Sequence, residues 1–416
     1  MLRLHTNGFP LLPSHGHVVR SAVGSQPRNG GFAIVLVEAR TDGRALTRHS
    51  RVSFLCCRSG AREHELVSQI GVARDIARLI GGRFDRYVDA TRPGGETPLG
   101  YVVPNDTVVG VEAARRWGIE SADDLFGGVV PFPYIATKVI THPLVAPDAA
   151  RPPGWDGCFA ARVADVVLCG HAVFSMRDAC RAVRALLRDG PVRVKLASGT
   201  GGLGQLVLRD ERDLDERLAT IDAAEVARRG AVVEHDLREP RTWSIGQVRV
   251  GPLCASYFGT QHTTRSRHGD EVYGGSSITL VRGGFDALAP LVDGDEALCR
   301  AVAFARVYHD AAFASFPGMF ASRCNYDVVG GLDAHGVERI GVLEQSWRIG
   351  GASAAELVAL HALHDDPTRS SVRAQTVEMH CADPDLPAGA IVHFRGVDER
   401  LGPITKYVRL QDDADS

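Results

Sequence analysis

The sequence lacks an excess of positive charge. It has 47 Lys and Arg residues against 50 Asp and Glu residues, a formal net charge of -3 at pH 7. Proteins that bind nucleic acids need a basic surface, so this balance argues against a nucleic-acid partner. Long apolar runs are missing as well: no stretch reaches the roughly 18 apolar residues that a membrane helix needs. The segment Met1–Pro10 has no uninterrupted apolar core like that of a signal peptide. We therefore expect a soluble cytoplasmic protein without a membrane partner.

Paired metal-binding cysteines are also absent. The chain has nine cysteines but no C-x-x-C pair, the spacing typical of structural zinc sites. Cys56 and Cys57 are neighbours on a predicted strand, so their side chains point to opposite faces and cannot chelate one ion together. Reduced, mostly buried thiols are the expected state.

The P-loop motif is missing, although a related pattern is present. The segment Val192–Leu208 carries Lys195 before its glycines, whereas a P-loop places the lysine after them. Gly199, Gly201 and Gly204 satisfy G-x-G-x-x-G, but a strand-like run follows them, where a dinucleotide fingerprint needs a helix. A strand, glycine loop and strand predict a hairpin flap whose amides and lysine bind nucleotide phosphates. The alternative is an ordinary tight hairpin with a solvated lysine.

The segment after the next predicted strand is a candidate adenine site. The strand Ala231–Glu234 leads into His235-Asp236-Leu237, an extended acidic segment. Its backbone can donate to and accept from an adenine edge, and Glu234 can accept hydrogen bonds from the adenine amine or ribose hydroxyls. The alternative is an acid at a strand end that faces solvent.

Two later strands carry carboxylates in an alternating pattern. In Arg323–Asp327 every second residue is polar and shares one strand face, and Glu344–Arg348 repeats the pattern. Neighbouring strands that each aim a carboxylate into one cleft can hold Mg²⁺, which prefers one or two carboxylates together with phosphates. Arginines on the same faces would lie beside a transferred phosphoryl group. Surface strands with cross-strand ion pairs are the alternative.

In this order, the segments resemble the ATP-grasp superfamily, in particular its biotin-carboxylase-like and carboxylate–amine ligase branches. The resemblance runs from about Lys138 to Ser353. It implies an α/β (α+β) protein with an ATP-grasp fold, in which two α+β subdomains clasp ATP, preceded by a small Rossmann-like α/β domain. The predicted organisation is a loosely structured extension over residues 1–50, the Rossmann-like domain over 51–135, the ATP-grasp domain over 136–360 with its flap at about 157–237, and a C-terminal β-rich segment over 361–416 packed on the core.

The resemblance also implies roles for particular residues, with ATP and Mg²⁺ as cofactors. Mg²⁺ would be bound by Asp327, Glu344 and Ser346, and Arg348 and Arg323 would be catalytic. The residues expected at ATP are Lys138, Lys195, Gly201, Gly202, Gln205, Glu234, His235, Asp236 and Leu237.

The chain departs from the superfamily pattern at two positions. The usual E-x-N is Glu344-Gln345-Ser346 here, so a hydroxyl would be the third metal ligand. The glutamate that biotin carboxylases carry four positions after the arginine is Ala352, which disfavours carboxylase activity. Gly350-Gly351 instead suits a ligase, in which backbone amides approach an acyl phosphate.

The expected function is therefore an ATP- and Mg-dependent ligase that activates a small-molecule carboxylate as an acyl phosphate for attack by an amine. A polar loop is predicted from Gln261 to Gly275, and its part from His262 to Gly275 is the candidate for substrate binding. Two alternatives use the same ATP site: a regulatory protein that binds ATP without turnover, and a phosphotransferase. The sequence leaves the oligomeric state open.

Overall fold

The structure is a computed structural model that describes residues 50–58, 60–91, 98–199, 204–265, 269 and 271–411. Apart from Ser50, the predicted N-terminal extension over residues 1–50 lies outside the described residues. Gly201 and Gly202 of the predicted phosphate loop lie outside them as well.

Eighteen strands in the described ranges form four sheets. In chain order the strands are β1 Arg51–Cys56, β2 Arg83–Asp89, β3 Tyr101–Pro104, β4 Val108–Val109, β5 Gly128–Val130, β6 Gly170–Val173, β7 Val192–Leu196, β8 Gln205–Leu208, β9 Ala231–His235, β10 Arg238–Val250, β11 Leu253–Arg265, β12 Glu271–Arg282, β13 Phe320–Ala321, β14 Arg323–Leu332, β15 Glu338–Ser346, β16 Ser371–Met379, β17 Ile391–Asp398 and β18 Gly402–Gln411. The α-helices in the same ranges are Glu63–Leu79, Val111–Arg116, Cys158–Arg162, Met176–Leu186, Glu211–Arg217, Ala223–Arg229, Ala289–Val292, Glu296–Ser315 and Ser353–Asp365.

The first sheet consists of three parallel strands in the order β2-β1-β3. The helix Glu63–Leu79 joins β1 to β2, and its buried residues Val72 and Ile76 recur at helical spacing. The helix ends before Gly81, whose φ of +66° suits glycine. The prediction of a mainly parallel α/β unit in this part of the chain is therefore confirmed. A small sheet in the order β13-β5-β4 follows it.

The strands β6 to β9 form an antiparallel sheet in the order β6-β9-β7-β8, which we call the lid sheet. Its β7–β8 hairpin has the predicted order of strand, glycine loop and strand, and Lys195 pairs with Gln205 across it. The helix Met176–Leu186 packs against β6 and β9. It begins after Ser175, whose hydroxyl accepts a hydrogen bond from the amide of Asp178.

The largest sheet, which we call the central sheet, has eight antiparallel strands in the order β15-β14-β10-β11-β12-β16-β18-β17. The helix Glu296–Ser315 packs against β14 and β15, and the helix Ser353–Asp365 packs against β16 and β18. The last three strands of the chain therefore extend the sheet that carries the predicted carboxylates. The domain boundaries stay predictions, and the one at residue 360 falls inside the helix Ser353–Asp365.

The polar segment Gln261–Gly275 differs from the predicted loop. Strand β11 runs to Arg265 and β12 begins at Glu271, so most of the segment is a long hairpin. Thr264 pairs with Val272 in it. β-branched residues fit a pleated sheet, and pairing with a neighbouring strand outweighs the polar composition from which the loop was predicted.

The helices Ala223–Arg229 and Ser353–Asp365 are among those that the sequence pattern does not predict. The first begins at Asp222, whose carboxylate accepts hydrogen bonds from the amides of Ala224 and Glu225. Within the described ranges, no helix is long and apolar enough to cross a membrane.

Candidate active site

The two predicted metal carboxylates lie side by side on the central sheet. Asp327 on β14 is directly opposite Glu344 on β15, and Asn325 is opposite Ser346 in the same register. The register shifts next to the pair of Asp327 and Glu344, so Leu343 on β15 has no residue opposite it on β14. Such a bulge re-aims the side chains beside it and is frequent next to active sites. The structure thus brings Asp327 and Glu344 together, while their binding of a metal stays a prediction.

Three neutral donors surround Asp327. Its Oδ1 accepts hydrogen bonds from Ser244 Oγ at 2.9 Å, Asn325 Nδ2 at 3.0 Å and Gln261 Nε2 at 3.2 Å. Burial, followed by repulsion from Glu344, raises the pKa of Asp327, and the three donors only partly offset this rise. Ser244 and Gln261 are not apparent as site residues in the sequence, because only the sheet order places β10 beside β14 and β11 one strand further away.

Lys138 connects the acidic pair to the lid sheet. Its Nζ lies 2.5 Å from Glu344 Oε2 and donates a hydrogen bond to the carbonyl oxygen of Gly199 at 2.9 Å. Gly199 stands just after β7, at the start of the hairpin loop. The lysine that was predicted to contact phosphate therefore links the loop end of β7 to the acids, through one hydrogen bond and one ion pair.

Gln345 fixes the segment that carries this lysine. Its side chain is buried on β15, and its Nε2 donates to the carbonyl oxygens of Ile135 at 3.0 Å and Thr137 at 2.8 Å. Strand alternation explains this arrangement, because Gln345 points away from the face of Glu344. One strand therefore supplies an acid to the site on one face and an anchor for Lys138 on the other.

Lys195 and Glu234 form a buried ion pair on the lid sheet. The side chains are 6% and 1% exposed, and Nζ of Lys195 contacts Oε1 of Glu234. The second oxygen, Oε2, lies 3.0 Å from His142 Nε2. Burial opposes ionisation of Glu234, but Lys195 and His142 outweigh it and lower the pKa of Glu234 to about 2. Both sequence expectations for this side chain were wrong: it neither faces solvent nor is free to accept from adenine or ribose.

The remaining residues of the predicted adenine segment are largely engaged within the protein. Asp236 pairs with Arg193, whose Nη2 lies 2.6 Å from its Oδ1, and Arg193 also donates to Gln205 at 2.9 Å. The amides of His235 and Asp236 donate to the carbonyl oxygens of Cys169 and Pro191. These two amides are therefore unavailable to an adenine edge, which corrects the expectation that they donate to it.

Leu237 and His235 have different surroundings from these polar neighbours. Leu237 is buried in a small apolar cluster with Leu168 and Val329. The imidazole of His235 is partly buried, and its Nε2 has no hydrogen-bond partner among the described residues. Their contact with a nucleotide stays a prediction.

Arg323 does not lie where a phosphoryl group could reach it, so its prediction as a catalytic residue was wrong. The side chain is 2% exposed and pairs with the fully buried Glu356, with Nη2 at 2.6 Å from Oε1. Burial opposes the charge, but Glu356 raises the pKa of Arg323 further above its ordinary value. The guanidinium also donates to the carbonyl oxygen of Arg348 at 2.7 Å and to Ser346 Oγ at 3.4 Å. Arg323 therefore holds the turn after β15 in place.

Arg348 remains a partly exposed cation at that turn. Its side chain is 30% exposed, and its Nε lies 3.8 Å from Asp106, which follows β3 of the parallel sheet. Tyr273 of the polar hairpin lies against the adjacent Gly351, where an added Cβ would be 2.3 Å from its hydroxyl oxygen. Only glycine fits there without a shift. One residue of the predicted substrate segment thus contacts the turn, whereas Arg267 and His268 lie outside the described residues.

The donor set suits a hard cation better than a transition metal. In the described part of the chain, no group of three or more His, Cys, Asp and Glu side chains is arranged to hold a metal ion. Two carboxylates with hydroxyl and amide oxygens beside them are instead the partial set that Mg²⁺ completes with phosphates and water.

The chain belongs to the family DUF3182, described as a protein of unknown function, whose model matches residues 54–408. No curated protein matches the chain.

Several solved structures are similar to it. One is phosphoribosylamine–glycine ligase from Thermotoga maritima, at 14% identity and a TM-score of 0.48 over 86% of this chain and 91% of that chain. D-alanyl-alanine synthetase A from Vibrio cholerae matches at 13% identity and a TM-score of 0.41 over 76% and 94%. A RiPP-associated ATP-grasp ligase from Chryseobacterium gregarium, in complex with ADP and a leader and core peptide, matches at 11% identity and a TM-score of 0.34 over 76% and 94%.

The third of these proteins is an ATP-grasp ligase, a member of the superfamily that the sequence motifs resemble. The mixed α/β class predicted from the sequence is confirmed. Because all three TM-scores lie below 0.5, the function of this chain has to be inferred from its own residues.

Proposed function

We propose that this protein is an ATP-dependent ligase of the ATP-grasp type, which activates a carboxylate as an acyl phosphate and transfers the acyl group to an amine. One observation carries the proposal: Lys138 contacts both Glu344, which faces Asp327, and the loop end of β7. A magnesium triphosphate would fit between such a hairpin loop and two acids, because the lysine can bind its phosphates and the acids can bind its Mg²⁺.

The charges of the site support ATP as the ligand. Lys138 contacts the loop end of β7 and Lys195 lies on β7, and both are buried cations, whereas Arg348 is a partly exposed cation beyond β15. Phosphate oxygens would take the place of Glu344 as the partner of Lys138, while Glu344 and Asp327 would bind Mg²⁺ with Ser346 as the third ligand. When bound, Mg²⁺ would neutralise charge on the triphosphate and on the two acids.

The proposed reaction has two steps. An oxygen of the substrate carboxylate attacks the γ-phosphorus, the bond from that phosphorus to the bridging oxygen breaks, and ADP leaves. The amine nitrogen then attacks the acyl carbon, the bond to phosphate breaks, and the proton of the amine passes to solvent. Lys138 would neutralise the transferring group, and Arg348 with the amide of Gly351 would lie beside the acyl phosphate. The amide of Gly350 donates to Ser353 Oγ at 3.0 Å, which corrects the expectation that it approaches the acyl phosphate. Arg323 would act as a positioning residue through Arg348.

The experiment supplies purified protein with Mg-ATP, pooled carboxylic acids and pooled amines. We expect ADP and phosphate to form in equal amounts together with a condensed product detected by mass spectrometry. The variants D327A and E344A should lose turnover, whereas E338A, which changes an exposed acid on the same strand β15, should retain it.

Two results would contradict the proposal. Absence of ADP and phosphate across all pools would exclude a ligase acting on these substrate classes. A phosphorylated product that accumulates without condensation would assign a phosphotransferase to the same site. If the ligase assignment is correct, we place it in the cytoplasm, where ATP and Mg²⁺ are available.

A further inference from the structure

His142 is a fully buried residue that none of the roles above uses. It follows the short 3-10 turn Lys138–Thr141, and its Nε2 lies 3.0 Å from Glu234 Oε2. The backbone leaves room for this contact at Gly170, where an added Cβ would lie 2.9 Å from His142 Cε1 and 2.9 Å from Glu234 Cβ. A side chain at that position would separate the imidazole from the carboxylate.

The hydrogen-bond partners of His142 fix its proton. Its other ring nitrogen, Nδ1, is buried and has no hydrogen-bond partner among the described residues. The Glu234 carboxylate is ionised and can only accept, so Nε2 of His142 carries a proton and donates it to Oε2.

This donation settles the orientation of the carboxylate. Glu234 has two oxygens, one taken by Lys195 and the other by His142, so its carboxylate plane cannot turn without breaking a hydrogen bond. The ammonium of Lys195 is fixed in turn, because one of its three N–H groups is directed at a carboxylate that does not move. An ammonium has three donors, so two remain besides the one directed at Glu234.

The segment that ends at His142 also contains Lys138, the other lysine of the site. Lys138 stands at the start of the segment Lys138–His142 and contacts Gly199 and Glu344, while His142 at its end contacts β9 through Glu234. One short segment therefore sets the position of Lys138 directly and that of Lys195 through Glu234.

We propose that His142 is a positioning residue for ATP, which holds the ammonium of Lys195 in place through Glu234. The assignment rests on the proposed function, because ATP is the ligand that Lys195 would meet. It goes beyond that function by giving a role in nucleotide binding to a buried residue that does not touch the nucleotide.

The test compares H142Q with H142N. The amide nitrogen of glutamine reaches the place of Nε2 and can donate to Glu234, whereas that of asparagine falls short of it. We expect H142N to weaken the binding of Mg-ATP about tenfold in calorimetry, the loss of one charge-assisted hydrogen bond, and H142Q to retain most of the affinity. In turnover, H142N should raise KM for ATP more than it lowers kcat.

A double-mutant cycle with K195M separates positioning from a general structural effect. If His142 acts through Lys195, H142N should change the affinity for Mg-ATP by less than about twofold in the K195M background. The control H309Q alters a partly buried histidine bonded to Tyr326, whose side chain lies on the face of β14 opposite Asp327, and should leave the affinity unchanged. Circular dichroism and thermal melting of every variant identify any that fail to fold. If H142N fails to fold, the affinities of H142Q and E234Q for Mg-ATP are compared instead.

The role of His142 would be overturned if H142N bound Mg-ATP as tightly as wild type does. It would also be overturned if H142N lost the same factor of affinity for Mg-ATP in the wild-type and K195M backgrounds. These results differ from failure of the proposed function. A wild-type protein that binds Mg-ATP but forms no product would contradict the ligase, while the binding cycle would still report on His142. A wild-type protein without affinity for Mg-ATP would overturn both.

Discussion

At the scale of single residues, Glu234 shows how burial changes the role of an acid. Its position at the end of β9 left two interpretations open, a solvated acid or an acceptor for the nucleoside, and neither describes a side chain that is 1% exposed. A carboxylate removed from water needs partners, and Lys195 and His142 provide them.

The pKa of Glu234 leads to a prediction about stability. Its pKa is about 2 in the folded protein, against an ordinary value of 4.5 for a glutamate. Since the folded pKa is depressed, its contribution is complete above about pH 4.5 and is lost as the pH falls towards 2. The full contribution is on the order of 3 kcal/mol.

We therefore expect E234Q to be less stable than wild type at pH 6, with a difference that shrinks as the pH falls from 5 to 3. Urea unfolding at each pH measures it, and E338Q on the surface is the control. A difference between E234Q and wild type that stays constant across this range would contradict the assignment of the low pKa.

Arg323 and Arg348 share a strand pattern but differ in what surrounds them. Alternation predicted an arginine on the functional face of each strand, but β15 ends at Ser346 and Arg348 lies in the turn beyond it. The pattern also cannot show that one of the two guanidinium groups is buried in an ion pair and the other is partly exposed. Glu356, which neutralises Arg323, comes from the helix Ser353–Asp365, and that helix is not apparent in the sequence pattern.

At the scale of elements, a buried ion pair contacts the turn between β15 and the helix Ser353–Asp365. Arg323 donates to the carbonyl oxygen of Arg348, and Glu356 on the helix neutralises Arg323. Tyr257 contacts both, since its hydroxyl lies 2.8 Å from Glu356 Oε1 and 3.3 Å from Arg323 Nη2. The pair thus joins the turn to the helix that follows it.

We predict that E356Q destabilises the protein by about 3 kcal/mol, because it leaves a buried guanidinium without its counter-ion. Chemical denaturation measures the change. The matched control is E338Q, which breaks the exposed pair of Glu338 with Arg300 and should cost less than about 1 kcal/mol.

The double variant R323M/E356L extends this prediction from stability to activity. Apolar residues of similar volume can replace a buried ion pair, so we expect stability to recover in part. Activity should stay low, because the hydrogen bond from Arg323 to Arg348 is gone. Full recovery of activity in R323M/E356L would show that the pair does not position the turn.

At the scale of the whole molecule, the site lies where three separate parts of the chain meet. The lid sheet supplies Lys195 and Glu234, the central sheet supplies Asp327 and Glu344, and the segment Lys138–His142 contacts both. A ligand that binds such a site stabilises the fold as a whole, because it binds the folded chain and not the unfolded one.

We expect Mg-ATP at about 100 times its Kd to stabilise the protein by about 2.7 kcal/mol, seen as a higher Tm in differential scanning fluorimetry. Mg²⁺ alone is the control for the nucleotide. The variant K195M should lose most of the shift, while H309Q should keep it. An unchanged Tm in wild type would contradict ATP as the ligand of this site.

The sequence by itself determined the local patterns. Alternation assigned Asp327 and Glu344 to their strand faces, and the order of strand, glycine loop and strand predicted the β7–β8 hairpin. These features depend on the period of a strand and on the freedom of glycine, which are properties of neighbouring residues.

Only the tertiary structure decided which charges are paired. Glu234 meets His142, Lys138 meets Glu344 and Arg323 meets Glu356 across separations of 92, 206 and 33 residues, the differences between their residue numbers. The energy of a charged side chain depends on its burial and its partners, and both are set by the packing of elements distant in the chain. Spacing along the sequence therefore located Asp327, Glu344 and Lys195, and the resemblance indicated Lys138, but packing determined which charged groups pair inside the protein and which remain able to meet a ligand.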